Sequence, residues 1–283
     1  MRANILLLIS IFSFFLTACE IINPAEDVPS YIRVESISLV TDSATQGSSA
    51  NKITDVWLYV DDQPLGVYEM PVSIPVLAQG THAILARAGI IVNGIAATRV
   101  YYPFYAFYND TINLTRGSVT TISPVVHYFS GTIFALEESF SGPGYDIIST
   151  PASDTDYTVI NNANSFEGGT GAAYLDAAHP VFECQPSDSL QLPLNNSVYM
   201  ELNYKSNTEF SIGMHAVTLQ QTYDIFILTI RATPEWKKIY INLTDGIALF
   251  PNAIGFKPYI HMERNSAVGD AQLFFDNIKV VHF

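Results

Sequence analysis

The sequence predicts an all-β fold organised as two β-sandwich domains. Long stretches alternate between apolar and polar residues and are rich in Val, Ile, Thr, Tyr and Phe, which is typical of strands. Clusters of Gly, Pro, Asn and Asp separate these stretches at short intervals, as turns do in sandwiches and barrels. The length of 283 residues suits two modest domains or one large sandwich, and the motifs described below favour two.

The N-terminus has the layout of a secretory signal peptide. A positive residue, Arg2, precedes an apolar run that is too short to span a bilayer comfortably, and small residues then precede Cys19. The segment Leu16-Thr17-Ala18-Cys19 resembles the bacterial lipobox, which implies cleavage after residues 1–18 and a diacylglycerol on the Cys19 sulfur. The alternative is an ordinary signal peptide with an incidental cysteine. The resemblance implies a lipid anchor on the bacterial outer membrane, facing the periplasm or the cell surface, with residues 19–29 as a lipidated tether.

The net charge indicates which partners the chain can bind, and the cysteine count indicates how its fold is stabilised. The chain carries 27 acidic and 13 basic residues, a net charge of −14, which argues against binding to nucleic acid. With Cys19 acylated, Cys184 is the one remaining thiol, so we expect packing rather than a disulfide to stabilise the fold.

Residues 30–129 form the first predicted domain. Asp61 to Pro64 make a tight turn between two alternating segments, and further strands follow at short intervals. The stretch "VDDQPLGVYEMPVSIPVLAQGTHAILARAGI" resembles the PEGA-type and carboxypeptidase-regulatory-like modules. That resemblance implies an immunoglobulin-like β-sandwich that acts as a spacer or as a surface contact.

Residues 130–283 form the second predicted domain. It opens with "GTIFALEESFSGPGYDII", continues through a Trp-containing strand, "EWKKIYINLT", and closes with "AQLFFDNIKVVHF". This order resembles the galactose-binding-like or carbohydrate-binding jelly roll. Together with the lipobox and the first domain, it resembles a Bacteroidetes-type surface lipoprotein, and no catalytic motif comes with the resemblance.

The segment "TRVYYPFYAFYND" places large rings on both faces of a predicted strand. A sugar platform needs one exposed aromatic face, whereas a strand between a sheet and a neighbouring domain needs apolar contacts on both sides. Pro103 cannot donate to a β-ladder, so the strand should lie at an edge or break there. We therefore predict that these rings pack in the core or between the domains.

Two binding sites are predicted in the second domain. In the jelly rolls that it resembles, a structural calcium often joins the first strand to the last, and the residues that match by motif are Glu137, Glu138 and Asp276. The alternative is that Glu137 and Glu138 are solvated loop carboxylates and that Asp276 ends a β-ladder with a side-chain hydrogen bond. A glycan would stack on rings and bond to nearby amides or carboxylates, and the candidate rings are Tyr145, Tyr174, Phe182 and Trp236.

Catalysis finds little support in the sequence. The six histidines are scattered singly, and no G-x-S-x-G nucleophile motif occurs. We therefore expect a non-catalytic, lipid-anchored envelope protein whose jelly roll binds an extracellular glycan. The alternative is a structural or assembly lipoprotein that docks on another envelope protein through its aromatic-rich N-terminal domain.

Overall fold

The computed structural model describes residues 26–283 and shows an all-β protein, which confirms the predicted fold class. The strands divide into two sets of sheets, and the chain passes from the first set to the second between Val126 and Ile133. One short helix, α1 (Thr244–Ala248), occurs within this range. No helix in the described part of the chain has the length and hydropathy needed to cross a membrane.

The first half contains three sheets around one apolar core. Its strands are β1 (Ser30–Val34), β2 (Ser38–Leu39), β3 (Asp55–Val60), β4 (Gln63–Glu69), β5 (Val72–Val76), β6 (Gly80–Ile91), β7 (Arg99–Tyr101), β8 (Tyr108–Leu114), β9 (Val119–Ile122) and β10 (Val125–Val126). They are ordered β5-β1-β9, β10-β2 and β4-β3-β6-β7, and β8 also pairs with the long strand β6. The core between these sheets is formed by buried aliphatic side chains, among them Ile32, Leu58 and Ile84.

The second half is a sandwich of two larger sheets. Its strands are β11 (Ile133–Glu138), β12 (Ile147–Ser149), β13 (Thr158–Ile160), β14 (Thr170–Leu175), β15 (Val181–Pro186), β16 (Val198–Ser206), β17 (Phe210–Val217), β18 (Thr222–Ile230), β19 (Thr233–Asn242), β20 (Gly255–Glu263) and β21 (Ala271–His282). The six-stranded sheet has the order β13-β14-β21-β16-β19, with β11 also paired to β21. The five-stranded sheet has the order β12-β15-β20-β17-β18.

Strand β20 shows how the sequence pattern builds the five-stranded sheet. Phe256, Ile260 and Met262 are buried in the core between the two sheets. Tyr259 and His261 alternate with them and lie on the opposite side, because successive side chains in a strand face opposite ways. The strand therefore has an apolar inner side and a polar outer side.

Strand β21 is instead buried on both sides. It reads as a nearly continuous apolar run in which Leu273, Phe275 and Val280 face the core of the second half. Val281 belongs to the core cluster of the first half, together with Tyr199 and Tyr240 from neighbouring strands. The first half therefore packs on the outer side of the six-stranded sheet.

The aromatic segment of the sequence lies in this interface, as predicted. Strand β7 ends at Tyr101, before Pro103, and Tyr102, Phe104 and Tyr105 are 1%, 0% and 2% exposed. Their rings contact aromatic rings of the second half, including Tyr199 at 5.4 Å from Tyr102. An aromatic docking surface at this segment was the alternative prediction, and it is wrong for these three rings because the second half covers them.

A buried carboxylate holds the two halves together at the centre of the interface. Glu201, on β16, accepts hydrogen bonds from the Tyr102 hydroxyl at 2.8 Å and the Tyr128 hydroxyl at 2.7 Å. Its other oxygen lies 2.7 Å from the Lys238 ammonium. Burial alone would raise the pKa of Glu201, but the charges of Lys238 and Lys279 outweigh it and lower the pKa. Glu201 is therefore a buried anion neutralised within the interface.

The first half also covers the free edge of the six-stranded sheet. The Asn93 amide donates to the Tyr240 carbonyl at 2.8 Å, and the Asn242 amide donates to Asn93 Oδ1 at 2.9 Å. Asn93 has a φ of 55°, in the left-handed region that asparagine tolerates. These bonds pair backbone groups of β19 that would otherwise form an open edge.

Candidate functional site

The outer side of the five-stranded sheet carries a continuous row of polar side chains, which we call the polar face. Strands β15, β20 and β17 run side by side, and their register places Glu183 beside His261, and His261 beside Ser211. The residues of the polar face are Glu183, Gln185, Ser211, His215, Asp224, Lys257, Tyr259, His261 and Glu263. The sheet thus assembles donors and acceptors that are far apart in sequence.

Tyr259 lies at the centre of the polar face, directly over Gly213. A Cβ atom at position 213 would collide with the Tyr259 ring, so glycine is needed for the ring to lie flat on the sheet. The His215 ring is 4.7 Å from the Tyr259 ring at an interplanar angle of 35°, and His215 Nδ1 is 2.8 Å from Gln185 Oε1. Burial and the neighbouring Asp224 carboxylate raise the pKa of Tyr259, which keeps its hydroxyl protonated.

Glu183 and His261 form the ionic centre of the polar face. Glu183 accepts a hydrogen bond from the Thr150 hydroxyl at 2.7 Å, and its second oxygen lies 3.0 Å from His261 Nδ1. The bond to Glu183 is the largest cause of a raised pKa at His261. Burial opposes ionisation of Glu183, but its bonds to His261 and Thr150 outweigh burial and lower its pKa. Both side chains are therefore held in fixed orientations.

Two open clefts lie at opposite ends of the polar face. One, of about 550 Å³, is lined by Glu183, Gln185, His215 and Lys257. The other, of about 430 Å³, is lined by residues that include His261 and Glu263. Six residue steps along β20 separate Lys257 from Glu263, a distance of about 20 Å at the rise of a β-strand. A ligand that contacts both clefts must therefore be an extended molecule.

The ring residues predicted to bind ligand all lie away from the polar face. Tyr145 is 43% exposed in the loop after β11, where it packs near Phe140. Tyr174, which is 45% exposed, and Trp236 lie on the outer side of the six-stranded sheet, where Trp236 packs on Phe166 at 5.2 Å. The ring contacts of Tyr174 and Trp236 are with Phe274 and Phe166, whereas those of Tyr145 are with Phe140 and Tyr157.

The prediction that Phe182 contacts a ligand is wrong. Its side chain is 0% exposed and lies in the core near Phe275. Phe182 and Glu183 are neighbours on β15, so they face opposite sides of the sheet. The outward positions of "VFECQP" are the polar ones, and this alternation was the available signal for Glu183 and Gln185.

The three predicted calcium ligands are not brought together. Glu138 accepts the backbone amides of Phe140 at 2.6 Å and Asp146 at 2.7 Å, which fixes the loop between them. Glu137 faces the other side of β11 and pairs in register with Lys279. Among residues 26–283, no three His, Cys, Asp or Glu side chains are positioned to hold a metal.

Asp276, the third predicted ligand, anchors a loop instead. Asp276 Oδ2 accepts the Thr170 hydroxyl at 2.8 Å and the Glu167 amide at 3.4 Å. Burial is the main cause that raises the pKa of Asp276 to about 7. Its contacts in the structure are thus protein groups of strand β14 and of the loop before it. The predicted lipidation site, Cys19, lies outside the described residues.

Comparison with known proteins gives partial structural likenesses. No protein-family model matches the chain, and no curated protein matches it. A family 30 carbohydrate-binding module of a cellulosomal cellulase of Clostridium thermocellum is 14% identical, with a TM-score of 0.37, over 53% of this chain and 96% of the module. A Clostridium thermocellum xylanase 10B fragment with a family 22 module and a catalytic module, complexed with xylohexaose, is 13% identical, with a TM-score of 0.39, over 52% of this chain and 28% of that one. A family 29 module complexed with mannohexaose is 12% identical, with a TM-score of 0.33, over 53% and 89% of the two chains.

Proposed function

We propose that this protein is a non-catalytic binding protein for an extended glycan, which it holds on the polar face. The observation that carries the proposal is the row of oriented donors and acceptors along β20 and its neighbours, with a cleft at each end. A glycan offers hydroxyls that both donate and accept hydrogen bonds. Side chains whose orientation is already fixed bind such groups without a further loss of rotamer entropy.

The chemistry of the polar face supports a neutral polyhydroxyl ligand. Glu183 and Glu263 are acceptors, Lys257 is a donor, and the two imidazoles supply either function according to their tautomer. The polar face carries the Lys257 ammonium as well as the Glu183, Asp224 and Glu263 carboxylates, so both signs of charge are present on it. Two of the structurally similar proteins are complexed with xylohexaose and mannohexaose, and we propose a ligand of that chemical class for the polar face.

The position of the polar face would also hold a bound glycan away from a membrane anchor at the N-terminus. The first half covers the outer side of the six-stranded sheet, and the polar face is on the opposite side of the sandwich. We propose that the chain is a bacterial lipoprotein attached to the outer membrane through Cys19, as the lipobox-like segment implies. The first half, residues 30–129, would then act as the spacer and residues 130–283 as the binding domain.

The test is a polysaccharide and oligosaccharide array probed with the wild-type protein and with the double variant H215A/E183Q. We expect the wild type to bind an oligosaccharide and the double variant to lose at least tenfold in affinity while its melting curve stays cooperative. E235A is the matched control, because Glu235 is exposed and lies on the opposite sheet. A folded wild type that binds nothing, or a double variant that binds equally well, would contradict the proposal.

A further inference from the structure

A third cleft lies on the outer side of the six-stranded sheet, beside the part covered by the first half. The loop of residues 161–169 folds back across this sheet and forms one wall. Its Asn164 carbonyl accepts the Trp236 indole N–H at 3.2 Å, and Asn164 Oδ1 accepts from the Lys205 ammonium at 3.0 Å. The loop therefore bridges strands β16 and β19, and we call the opening beside it the Lys205 cleft.

The Lys205 cleft has residues with amide side chains in its walls and a buried aromatic ring below it. Its volume is about 410 Å³, and the Phe274 ring lies beneath it with 4% exposure. The Lys205 ammonium is 4.9 Å from the centre of that ring. Asn164, Asn207 and Gln272 line the walls. The Asn207 side chain is held in place, because it donates to the Asp270 carbonyl at 2.9 Å and accepts from the Gln272 backbone amide at 2.7 Å. A cleft with polar side chains around it suits the hydroxyls of a pyranose.

The charge of this cleft differs from that of the rest of the protein. None of the residues that line it is acidic, although the chain carries 27 acidic residues and 13 basic ones. Lys205 supplies the positive charge, and one of its three N–H donors is used by Asn164. The remaining donors can bind an anionic oxygen, which favours a ligand that carries a carboxylate.

We propose that the Lys205 cleft is a second saccharide site, separate from the polar face, and that it binds a sugar bearing a carboxylate, as in a uronic acid. Lys205 pairs with the carboxylate, and the Gln272 amide and the second Asn207 Nδ2–H bond to ring hydroxyls. Phe274 lies under Lys205 and positions its ammonium group. Because the two sites lie on opposite sheets, one molecule then binds two glycan chains of different charge.

Trp236 supplies a direct reporter for this site. The chain has two tryptophans, and Trp57 lies in the first half against Tyr101. In a W57F background, fluorescence comes from Trp236, whose indole N–H is bonded to the wall of the cleft. The probes are trigalacturonate and its fully methyl-esterified form, which differ in charge but retain the ring hydroxyls.

We expect trigalacturonate to change the Trp236 emission in a saturable manner and 0.5 M NaCl to weaken the binding. We expect the methyl ester and the K205M variant to bind about fivefold more weakly or worse, since each removes one side of the charge pair. The H215A/E183Q variant should give the same titration as the W57F parent, which separates this site from the polar face. Equal affinity for acid and ester, unchanged binding by K205M, or the absence of any saturable signal would overturn the proposal.

Discussion

Removal of the Glu201 carboxylate should destabilise both halves of the protein together. In the E201A variant, the Lys238 ammonium, whose side chain is 3% exposed, loses its ion-pair partner. The hydroxyls of Tyr102 and Tyr128 lose their acceptor at the same time. Breaking a buried ion pair by removal of one partner costs about 3–5 kcal/mol. That loss corresponds to a fall in melting temperature on the order of 10 °C for a domain of this size.

The E201Q variant separates charge from hydrogen bonding. A glutamine oxygen still accepts from the two tyrosines but does not neutralise Lys238, so the loss should be smaller than that of E201A. E235A is the control, because a substitution at an exposed position usually changes stability by less than about 0.5 kcal/mol.

Urea unfolding should be followed in two single-tryptophan backgrounds, W57F and W236F, which report on the second and the first half respectively. Because the core cluster of the first half includes Tyr199, Tyr240 and Val281, the two reporters should give one shared midpoint that E201A lowers equally. Two midpoints that move independently, or an E201A midpoint within error of the wild type, would refute the reasoning.

Three further outcomes follow from the second half. The G213A variant places a methyl group against the Tyr259 ring, so we expect its free energy of unfolding to fall by about 1–3 kcal/mol and its glycan binding to weaken. The control is G131A, which has no atom within 4 Å of its added Cβ and should match the wild type. The pKa of Asp276 is raised to about 7 from an ordinary 3.8, so the folded state holds a proton that the unfolded chain releases. The contribution of Asp276 to the free energy of unfolding is therefore complete below pH 4 and is lost as pH rises through 7. The wild type should therefore lose more stability than D276N between pH 5 and pH 8, and parallel melting-temperature profiles would argue against this assignment. Because the bond to Glu183 raises the pKa of His261, an NMR titration of E183Q should show the His261 pKa moving down towards 6.5. An unchanged pKa would show that Glu183 and His261 do not form the ionic centre of the polar face.

The fold was predictable because its signals are local. Alternation in β17 and β20 indicates strands, and the aromatic doublets of the segment around Tyr102 indicate a strand that is covered on both faces. Large aromatic side chains on both faces of a strand predict burial, whichever part of the chain packs against them. The predictions that depended on local pattern are the ones that the structure supports.

The polar face was not predictable in the same way, because it depends on sheet order. His215 and His261 are 46 positions apart, and they lie on the same face only because β17 pairs with β20. Each histidine looks isolated in the sequence. The selection of Phe182 failed by one position, since aromatic content was used where the phase of alternation decides which side chain faces outward.

The parallel strand pairs of the first half determine how it responds to a pulling force. Strand β1 runs parallel to β9, from Tyr31 opposite Val119 to Val34 opposite Ile122, and β2 runs parallel to β10. A force applied between the N-terminus and the second half pulls β1 and β9 in opposite directions along their length. Their hydrogen bonds are then loaded in shear and must break together, instead of opening one after another from an end. The first half therefore resists tension applied between the start of β1 and the second half.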